Sequence, residues 1–318
     1  MKLSIVLTVF NKESYIERSL GALLSQNISQ EGEFEILVVN DGSTDNSAEV
    51  IKQYAGRDCR VRVLTQNNQG LSMARNNGLK SAKGEYVWFV DADDTVAPNA
   101  VASIMTAIQE MPDIIPIYAQ TDGSDAIRNA VDKASKTGRE IIIGGKWEEC
   151  GVFNVFRKSF LIDNELCFYP GIYHEDAEFT PRMLYLAQTV KVIPEVLYRV
   201  YRDPSSITQV PRSKRAFDYL TIAQRLYDFL KGKDELSTSI GRSVFNKVSV
   251  DLNMAFWVIV QNDKDEQRKF NRCFFDNSQI YTHILRSSTH LKYRIEALLI
   301  NLVPRNAVLV YKFLKAFS

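Results

Sequence analysis

The chain has 318 residues, of which 45% are hydrophobic and 24% are charged, and its formal net charge is +1. This length and composition are typical of one large globular domain with a smaller attachment, or of two domains. The near-neutral charge argues against broad non-specific binding to nucleic acid, and no run reaches the roughly 18 apolar residues that a membrane-spanning helix needs.

The first hundred residues predict alternating strands and helices. Apolar runs predict four strands, at residues 3–9, 34–39, 61–64 and 86–90. Helical spacing of apolar residues predicts three helices between them, at residues 13–25, after an N-cap at Thr44, and at 71–82. This order predicts a parallel sheet with right-handed crossovers. The apolar N-terminus is short and has no cleavage site for a signal peptide, so we expect a strand and a cytoplasmic protein.

Beyond residue 96 the pattern is less regular. Pro98 suits the first turn of a helix that runs to about Met111. Further strands are predicted at residues 114–118, 141–143 and 196–201, and residues 212–318 have an almost entirely helical pattern. We therefore place a domain boundary near residues 210–211. The four cysteines have neither metal-ligand spacing nor a paired framework, and we expect buried free thiols.

Three acidic residues, Asp91, Asp93 and Asp94, follow the apolar strand at 86–90. A strand of an open α/β sheet delivers the residues after it to the carboxyl edge, where ligands bind. Crowded carboxylates raise each other's pKa unless a cation neutralises them. The cluster therefore predicts a divalent metal that holds a phosphate. The alternative is a solvated acidic turn that caps the next helix.

The other early strands also end in polar residues. Thr8 and Asn11 follow the first strand, Asp41 the second, and the loop 66–70, which contains Asn67, the third. Because the carboxyl ends of parallel strands meet at one edge of a sheet, a single ligand groove is expected to gather these residues with the acidic cluster.

The chain resembles family 2 glycosyltransferases in six segments that occur in the family's order. They are Val6–Asn11, Val38–Asp45, Gly70–Gly78, Gly84–Asp94, His174–Phe179 and Tyr201–Thr208. The resemblance spans roughly residues 3–210. It implies a GT-A-type α/β fold with a mostly parallel, Rossmann-like sheet. A catalytic domain at 1–210 would hold a donor half at about 1–95 and an acceptor half at about 96–210, followed by a helical region at 211–318.

The resemblance implies roles for individual residues. Donor-binding residues would be Thr8, Asn11, Asp41, Asn67, Arg75, Asp91, Arg202 and Ser206, and Asp93 with Asp91 would bind Mg²⁺ or Mn²⁺. Asp41 suits a base N–H because a carboxylate only accepts hydrogen bonds; its alternative role is to cap the helix after Thr44. Arg75 suits oxyanions, with a solvated helix face as its alternative.

The family's general base corresponds to Asp176, beside Glu175. The alternative for this pair is stabilisation by the dipole of the helix that it begins. His174 either contacts the metal or phosphate or is a hydrogen-bonded loop residue.

The resemblance implies an inverting, metal-dependent transferase of the bacterial surface-polysaccharide type. It would move a sugar from a nucleotide-diphospho-sugar, with uridine as the family's commonest base, to a saccharide or lipid-linked saccharide. The competing functions are an inactive nucleotide-sugar-binding protein and a sugar nucleotidyltransferase. The latter class normally has a glycine-rich phosphate loop, whereas Phe10–Ser14 contains no glycine.

The tail from residue 283 to 318 is basic and amphipathic. It holds six lysines and arginines and one acid, Glu296. Two interpretations remain open: peripheral contact with the inner face of an anionic membrane, or a helical cap that packs on the catalytic domain.

Overall fold

The computed structural model describes residues 1–26, 33–201 and 212–316. The chain divides into two compact units. The first comprises Met1–Gly171 and Met183–Pro204, and the second comprises Ile172–Arg182 and Ser205–Ser318. The boundary predicted near residues 210–211 lies outside the described residues.

The first unit contains a mixed sheet of nine strands. They are β1 (Leu3–Val9), β2 (Phe34–Asp41), β3 (Val61–Gln66), β4 (Tyr86–Asp91), β5 (Thr95–Val96), β6 (Ile114–Thr121), β7 (Ile127–Arg128), β8 (Asn154–Arg157) and β9 (Ile193–Val200). Their order is β3-β2-β1-β4-β8-β6-β9-β5, and β7 pairs with β6. The strands β1 to β4 are mutually parallel, whereas β8 runs antiparallel to β4 and β6. The predicted parallel sheet is confirmed for β1 to β4.

Thirteen α-helices are found in the described ranges. They are α1 (Ile16–Leu24), α2 (Ser47–Arg57), α3 (Leu71–Ser81), α4 (Ala100–Ala107), α5 (Gly138–Gly144), α6 (Lys158–Asp163), α7 (Glu175–Leu186), α8 (Ser213–Gly232), α9 (Ser239–Ile259), α10 (Lys264–Asp276), α11 (Ser278–Ser287), α12 (Leu291–Leu302) and α13 (Ala307–Lys315). The last six confirm the predicted helical region.

The core of the first unit lies around β1, β2 and β4. Every residue of β1 and β2 is buried. In β4 every residue before Asp91 is buried, and Asp91 is partly exposed. Trp88 and Phe89 are fully buried, and each such side chain contributes about 2 kcal/mol through removal from water. In β3 alternate residues are exposed, as expected of a strand at the end of the sheet order. The buried strands hold the polar residues at their carboxyl ends in fixed positions.

The strand predicted at 141–143 is wrong, because these residues belong to α5. The Thr137 hydroxyl accepts a hydrogen bond from the Glu140 N–H, and the Glu140 carboxylate accepts one from the Thr137 N–H. This capping box starts the helix, and Gly145 ends it in a left-handed conformation. These end signals outweigh the strand preference of three consecutive isoleucines.

The predicted N-cap at Thr44 is also wrong, because α2 begins at Ser47. The Thr44 N–H instead donates to Asn11 Oδ1 at 2.8 Å, and the Lys12 N–H donates to Ser47 Oγ at 2.9 Å. The turn before α2 is therefore bonded to the loop that follows β1.

The four cysteines are free, as expected, but they are not buried. Cys59, Cys167 and Cys273 are exposed and Cys150 is partly exposed. The expectation was wrong because it rested on the average behaviour of free cysteine rather than on the local pattern.

The second unit has its own apolar core, in which Phe256 contacts Phe270, Phe274 and Tyr311 with ring centroids 5.4 Å apart in each pair. Within the described ranges no single helix is long and apolar enough to cross a membrane. One bent pair, Leu291–Leu302 with Pro304–Lys315 at 114°, meets the length and composition criteria together.

Candidate functional site

The carboxyl ends of β1, β2 and β4 bring four of the predicted residues to one edge of the sheet. Thr8 lies beside Asp91 in the register of β1 and β4. Asp41 ends β2 and lies beside Gln66 of β3. Asp93 lies two residues beyond the carboxyl end of β4. The strand ends that were predicted to gather these residues are thus neighbours within the first unit.

Asp91 is held by two of the predicted residues. The Arg75 guanidinium donates to Asp91 Oδ1 from Nη2 at 3.1 Å, and the Thr8 hydroxyl lies 3.4 Å from the same oxygen. Arg75 is 1% exposed, and its guanidinium lies 5.1 Å from the ring centre of Phe168. Arg75 is therefore a buried counter-charge behind Asp91, not a residue of a solvated helix face.

Asp93 is paired with a residue that the sequence did not single out. Lys12 Nζ lies 2.6 Å from Asp93 Oδ2, and the two side chains are 25% and 24% exposed. The Arg18 guanidinium donates to the main-chain oxygen of Asp93. The only indication in the sequence that Lys12 belongs to the site is its position directly after Asn11, the last residue of the segment Val6–Asn11.

Whereas Asp91 and Asp93 pair with basic side chains, Asp94 accepts hydrogen bonds from a tyrosine hydroxyl and a main-chain N–H. Its Oδ2 accepts a hydrogen bond from the Tyr198 hydroxyl at 2.8 Å, and its Oδ1 accepts one from the Tyr201 N–H at 2.9 Å. The Tyr198 oxygen in turn accepts from the Asp91 N–H at 3.1 Å. Burial, and secondarily the charges of Asp91 and Asp93, raises the pKa of Asp94 to about 8. Asp94 therefore supports the backbone of the cluster as a largely protonated acid, and Tyr198 is a second residue that the sequence analysis missed.

Asp41 holds the glycine turn before α3. Its Oδ1 accepts from the Gln66 amide at 2.7 Å and the Gln69 N–H at 2.9 Å, and its Oδ2 accepts from the Gly70 N–H at 2.9 Å. Three of about four acceptor positions of this carboxylate are thus in use. The alternative role as a cap of the next helix is wrong, because Asp41 bonds to the turn before α3.

The remaining donor candidates are placed as follows. Asn11 is exposed, has a left-handed φ of 53°, and bonds to the turn before α2. Asn67 is exposed in the loop after β3. Arg202 and Ser206 lie outside the described residues.

Asp91 and Asp93 fit a divalent cation by chemistry and position. Their side chains are about a quarter exposed, at 30% and 24%, and they lie at and just beyond the carboxyl end of β4. In the described ranges no group of three or more His, Cys, Asp or Glu is arranged around a metal position. Two carboxylates suffice when phosphate oxygens and water complete the coordination of a hard cation. Lys12 and Arg75 show that this edge already holds positive charge beside both acids.

The predicted catalytic acids begin α7 in the second unit. Glu175 is 8% exposed and Asp176 is partly exposed. His174 precedes them with a left-handed φ of 59°, and its carbonyl accepts from the Ala177 N–H at 3.0 Å.

The surroundings of His174 argue against its contact with a metal. Its Nε2 accepts a hydrogen bond from Arg215 Nε at 3.1 Å, and its ring stacks on Tyr219 at 4.5 Å. Burial, and secondarily the Arg215 charge, lowers the pKa of His174 to about 4. His174 is therefore neutral at pH 7 and holds the start of α7.

Glu178 fixes the same helix one turn later. It is fully buried, and its oxygens accept from Arg182 at 2.6 Å and from Arg225 at 2.9 Å. Glu178 and Arg182 are one helical turn apart, but Arg225 lies 47 residues from Glu178 along the chain, so the sequence analysis did not identify this triad.

The family model for glycosyl transferase family 2 matches residues 4–167, which is more than half of the chain. The chain belongs to glycosyl transferase family 2. It is 30% identical over 226 residues to the uncharacterized glycosyltransferase YibD of Escherichia coli K12, a match that covers 66% of this chain and 64% of that relative. It is also 30% identical over 219 residues to the poly(ribitol-phosphate) beta-glucosyltransferase of Bacillus spizizenii, covering 66% of this chain and 34% of that protein.

Solved structures share the fold of this transferase. The structure of residues 1–349 of S. aureus TarS in complex with UDP-GlcNAc matches with a TM-score of 0.77 at 20% identity, over 100% of this chain and 93% of that one. The mannosyltransferase PcManGT of Pyrobaculum calidifontis, in complex with GDP-Man and Mn²⁺, matches with a TM-score of 0.56 at 13% identity, over 98% and 86%. The predicted GT-A-type fold is confirmed.

Proposed function

We propose that this transferase is an inverting, metal-dependent enzyme that moves a sugar from a UDP-sugar to an acceptor hydroxyl. The observation that carries the proposal is the meeting of Thr8, Asp41, Asp91 and Asp93 at one edge of the sheet. The UDP-GlcNAc complex of TarS and the Mn²⁺ complex of PcManGT support the donor class and the metal by analogy of fold.

In this proposal the first unit binds the donor. The remaining acceptor position of Asp41 takes an N–H of the base, Thr8 and Asn11 line the nucleoside, and Asp91 and Asp93 bind Mg²⁺ or Mn²⁺ at the diphosphate. When bound, a divalent cation neutralises charge that develops on the departing diphosphate. Arg75 fixes Asp91 from behind.

Asp176 is the proposed general base. It removes the proton of the acceptor hydroxyl as the oxygen attacks the anomeric carbon from the side opposite the diphosphate, which inverts the configuration. Glu175 holds the acceptor or the start of the helix. Neutral His174 and the Glu178 triad keep this helix end in place.

The proposed acceptor is a saccharide or lipid-linked saccharide in the assembly of a surface polysaccharide. The relative named as a poly(ribitol-phosphate) beta-glucosyltransferase supports this class. Arg202 and Ser206 are proposed to contact the donor diphosphate, by resemblance alone.

The donor is tested by thermal unfolding with a panel of nucleotide sugars. We expect UDP-sugars with Mn²⁺ to raise the midpoint by about 5 °C at a hundredfold excess over Kd, because a ligand that binds only the folded state stabilises it by mass action. The same sugars with EDTA serve as the control. Equal midpoints with all donors, with and without Mn²⁺, would contradict the proposal.

We also propose that α12 and α13 contact an anionic membrane surface. Leu291, Ile295, Leu298 and Leu302 are spaced along one face of α12, and their exposed fractions range from 42% to 77%. The opposite face, with Ala297 and Ile300, is buried. One face of α12 therefore packs inside the second unit, while the other is available to lipid.

The charge of this surface, residues 283–316, favours a membrane over a second copy of the chain. Its six basic residues are Arg286, Lys292, Arg294, Arg305, Lys312 and Lys315. Its one acid, Glu296, is 1% exposed, and burial raises its pKa to about 7. Two such surfaces would repel each other, whereas anionic lipids attract both the cations and the apolar face.

Replacement of Leu298 and Leu302 by serine tests this contact. We expect the double variant to bind vesicles of phosphatidylglycerol and phosphatidylcholine roughly tenfold more weakly than the original chain, because less apolar surface enters the interface. Met111→Ser with Ile162→Ser, which alters exposed apolar residues of the first unit, is the matched control. Co-sedimentation measures binding, and equal binding by all three proteins would refute the contact.

A further inference from the structure

The two acids of Asp91-Ala92-Asp93 are paired with two different kinds of cation. Asp91 bonds to Arg75, whose side chain is 2% exposed. Asp93 bonds to Lys12, whose side chain is 25% exposed. A buried guanidinium with a planar set of donors is fixed in place, whereas a partly exposed ammonium on a flexible stem is exchangeable. Only the second pair can open without disrupting the core.

We propose that Lys12 holds Asp93 until the divalent cation binds, and that the released ammonium then binds the diphosphate of the donor. This inference rests on the proposed function and adds a residue that makes metal and donor binding depend on each other.

A metal that bound Asp93 through Oδ2 would weaken the attraction between this carboxylate and its ammonium partner. Lys12 Nζ lies 2.6 Å from Asp93 Oδ2, so a cation bound to that oxygen would be close to a like charge. Binding of a metal alone at that oxygen therefore disfavours this pair. Lys12 thereby opposes metal binding in the absence of donor.

The backbone of Lys12 limits where its ammonium can go. The Lys12 N–H is held by Ser47 Oγ at 2.9 Å, and Asn11 beside it bonds to the Thr44 N–H at 2.8 Å. The main chain therefore stays while the four-carbon stem moves. A diphosphate held beside a cation at Asp93 would present anionic oxygens near Lys12, and a lysine ammonium is suited to them as a point charge.

These steps predict opposite effects of one substitution on two ligands. Lys12→Met keeps the length of the side chain and removes its charge. We expect this variant to bind Mn²⁺ alone about three- to tenfold more tightly. It lacks the ion pair between Lys12 and Asp93, so no free energy is needed to break this partly exposed pair. We expect it to bind UDP about tenfold more weakly at saturating Mn²⁺, because a phosphate contact is lost.

The experiment titrates the full chain with Mn²⁺ alone, using the electron paramagnetic resonance of free Mn²⁺, and then titrates UDP at saturating Mn²⁺ by calorimetry. Lys12→Arg retains a cation and should not tighten Mn²⁺ binding. Lys2→Met removes the exposed pair with Glu85 (2.9 Å) at the opposite end of β1 and should match the original chain in both titrations. Thermal midpoints establish that all variants are folded.

The outcomes separate this inference from the proposed function. If the original chain binds Mn²⁺ and UDP together but Lys12→Met binds Mn²⁺ alone no more tightly, the exchange is overturned and the donor site stands. If UDP affinity is unchanged in Lys12→Met, the transfer of the ammonium to the diphosphate is overturned. If the original chain binds no Mn²⁺ even with UDP, the metal site and the Lys12 exchange are both overturned.

Discussion

Replacement of Asp176 by asparagine is expected to lower turnover about a thousandfold while donor affinity stays within a factor of about two. General-base catalysis contributes typically 10²- to 10⁴-fold, and asparagine keeps the shape of aspartate but cannot take the proton. Asp176 lies in the first turn of α7, which His174 and Glu178 hold through Arg215 and Arg225. The loss is therefore expected in kcat and not in the binding of the donor.

Transfer assays with the identified donor, together with calorimetry of UDP, measure the two effects separately. Asp228→Asn is the matched control, because Asp228 is exposed on α8 in the same unit; it should leave both quantities unchanged. Asp93→Ala is the contrasting variant and should weaken Mn²⁺-dependent UDP binding as well as turnover. An Asp176→Asn enzyme with undiminished turnover would remove Asp176 from the proposed mechanism.

Replacement of Asp94 by alanine is expected to lower the free energy of unfolding by about 3 kcal/mol, because two buried hydrogen bonds lose their acceptor. The Tyr198 hydroxyl and the Tyr201 N–H both donate to Asp94, which is 6% exposed. The Asp91 N–H depends on the same tyrosine. We therefore expect weaker Mn²⁺-dependent UDP binding together with the loss of stability.

Urea denaturation of the full chain measures the stability change. Asp94→Asn retains an acceptor for the Tyr201 N–H and should lose less than half as much, and Tyr198→Phe, which removes one hydroxyl from the same network, should fall between Asp94→Asn and Asp94→Ala. Asp125→Ala, at an exposed acid of the loop between β6 and β7, is the control. If Asp94→Ala is as stable as this control, Asp94 does not support the cluster.

The strand positions in the first hundred residues could be predicted because β1, β2 and β4 are uninterrupted apolar runs that end in polar residues. The hydrophobic periodicity and composition of a short sequence window are enough to predict such strands. Residues 141–143 could not be predicted in the same way. Their β-branched side chains favour a strand, and the capping box of Thr137 and Glu140 decides the helix.

The residues of the candidate site likewise include some that local sequence predicts and some that it does not. Thr8, Asp41, Asp91 and Asp93 were predicted because each lies at or near the end of a strand. Lys12 and Tyr198 were missed because their partners are 81 and 104 residues away along the chain. The sequence analysis did not separate Asp94 from Asp91 and Asp93 by burial, because sequence does not show which side chain of an acidic cluster is buried.

The negative charge of each acid in the cluster is offset by a cation or removed by protonation. Arg75 offsets Asp91, Lys12 offsets Asp93, and the pKa of Asp94 at about 8 leaves this third acid largely protonated at pH 7. A bare divalent cation would leave this balanced site with excess positive charge, and a bare diphosphate would leave it with excess negative charge. The two together are close to neutral. On the proposed function, this edge of the sheet would receive metal and donor together as a nearly neutral complex, whose affinity would depend only weakly on ionic strength.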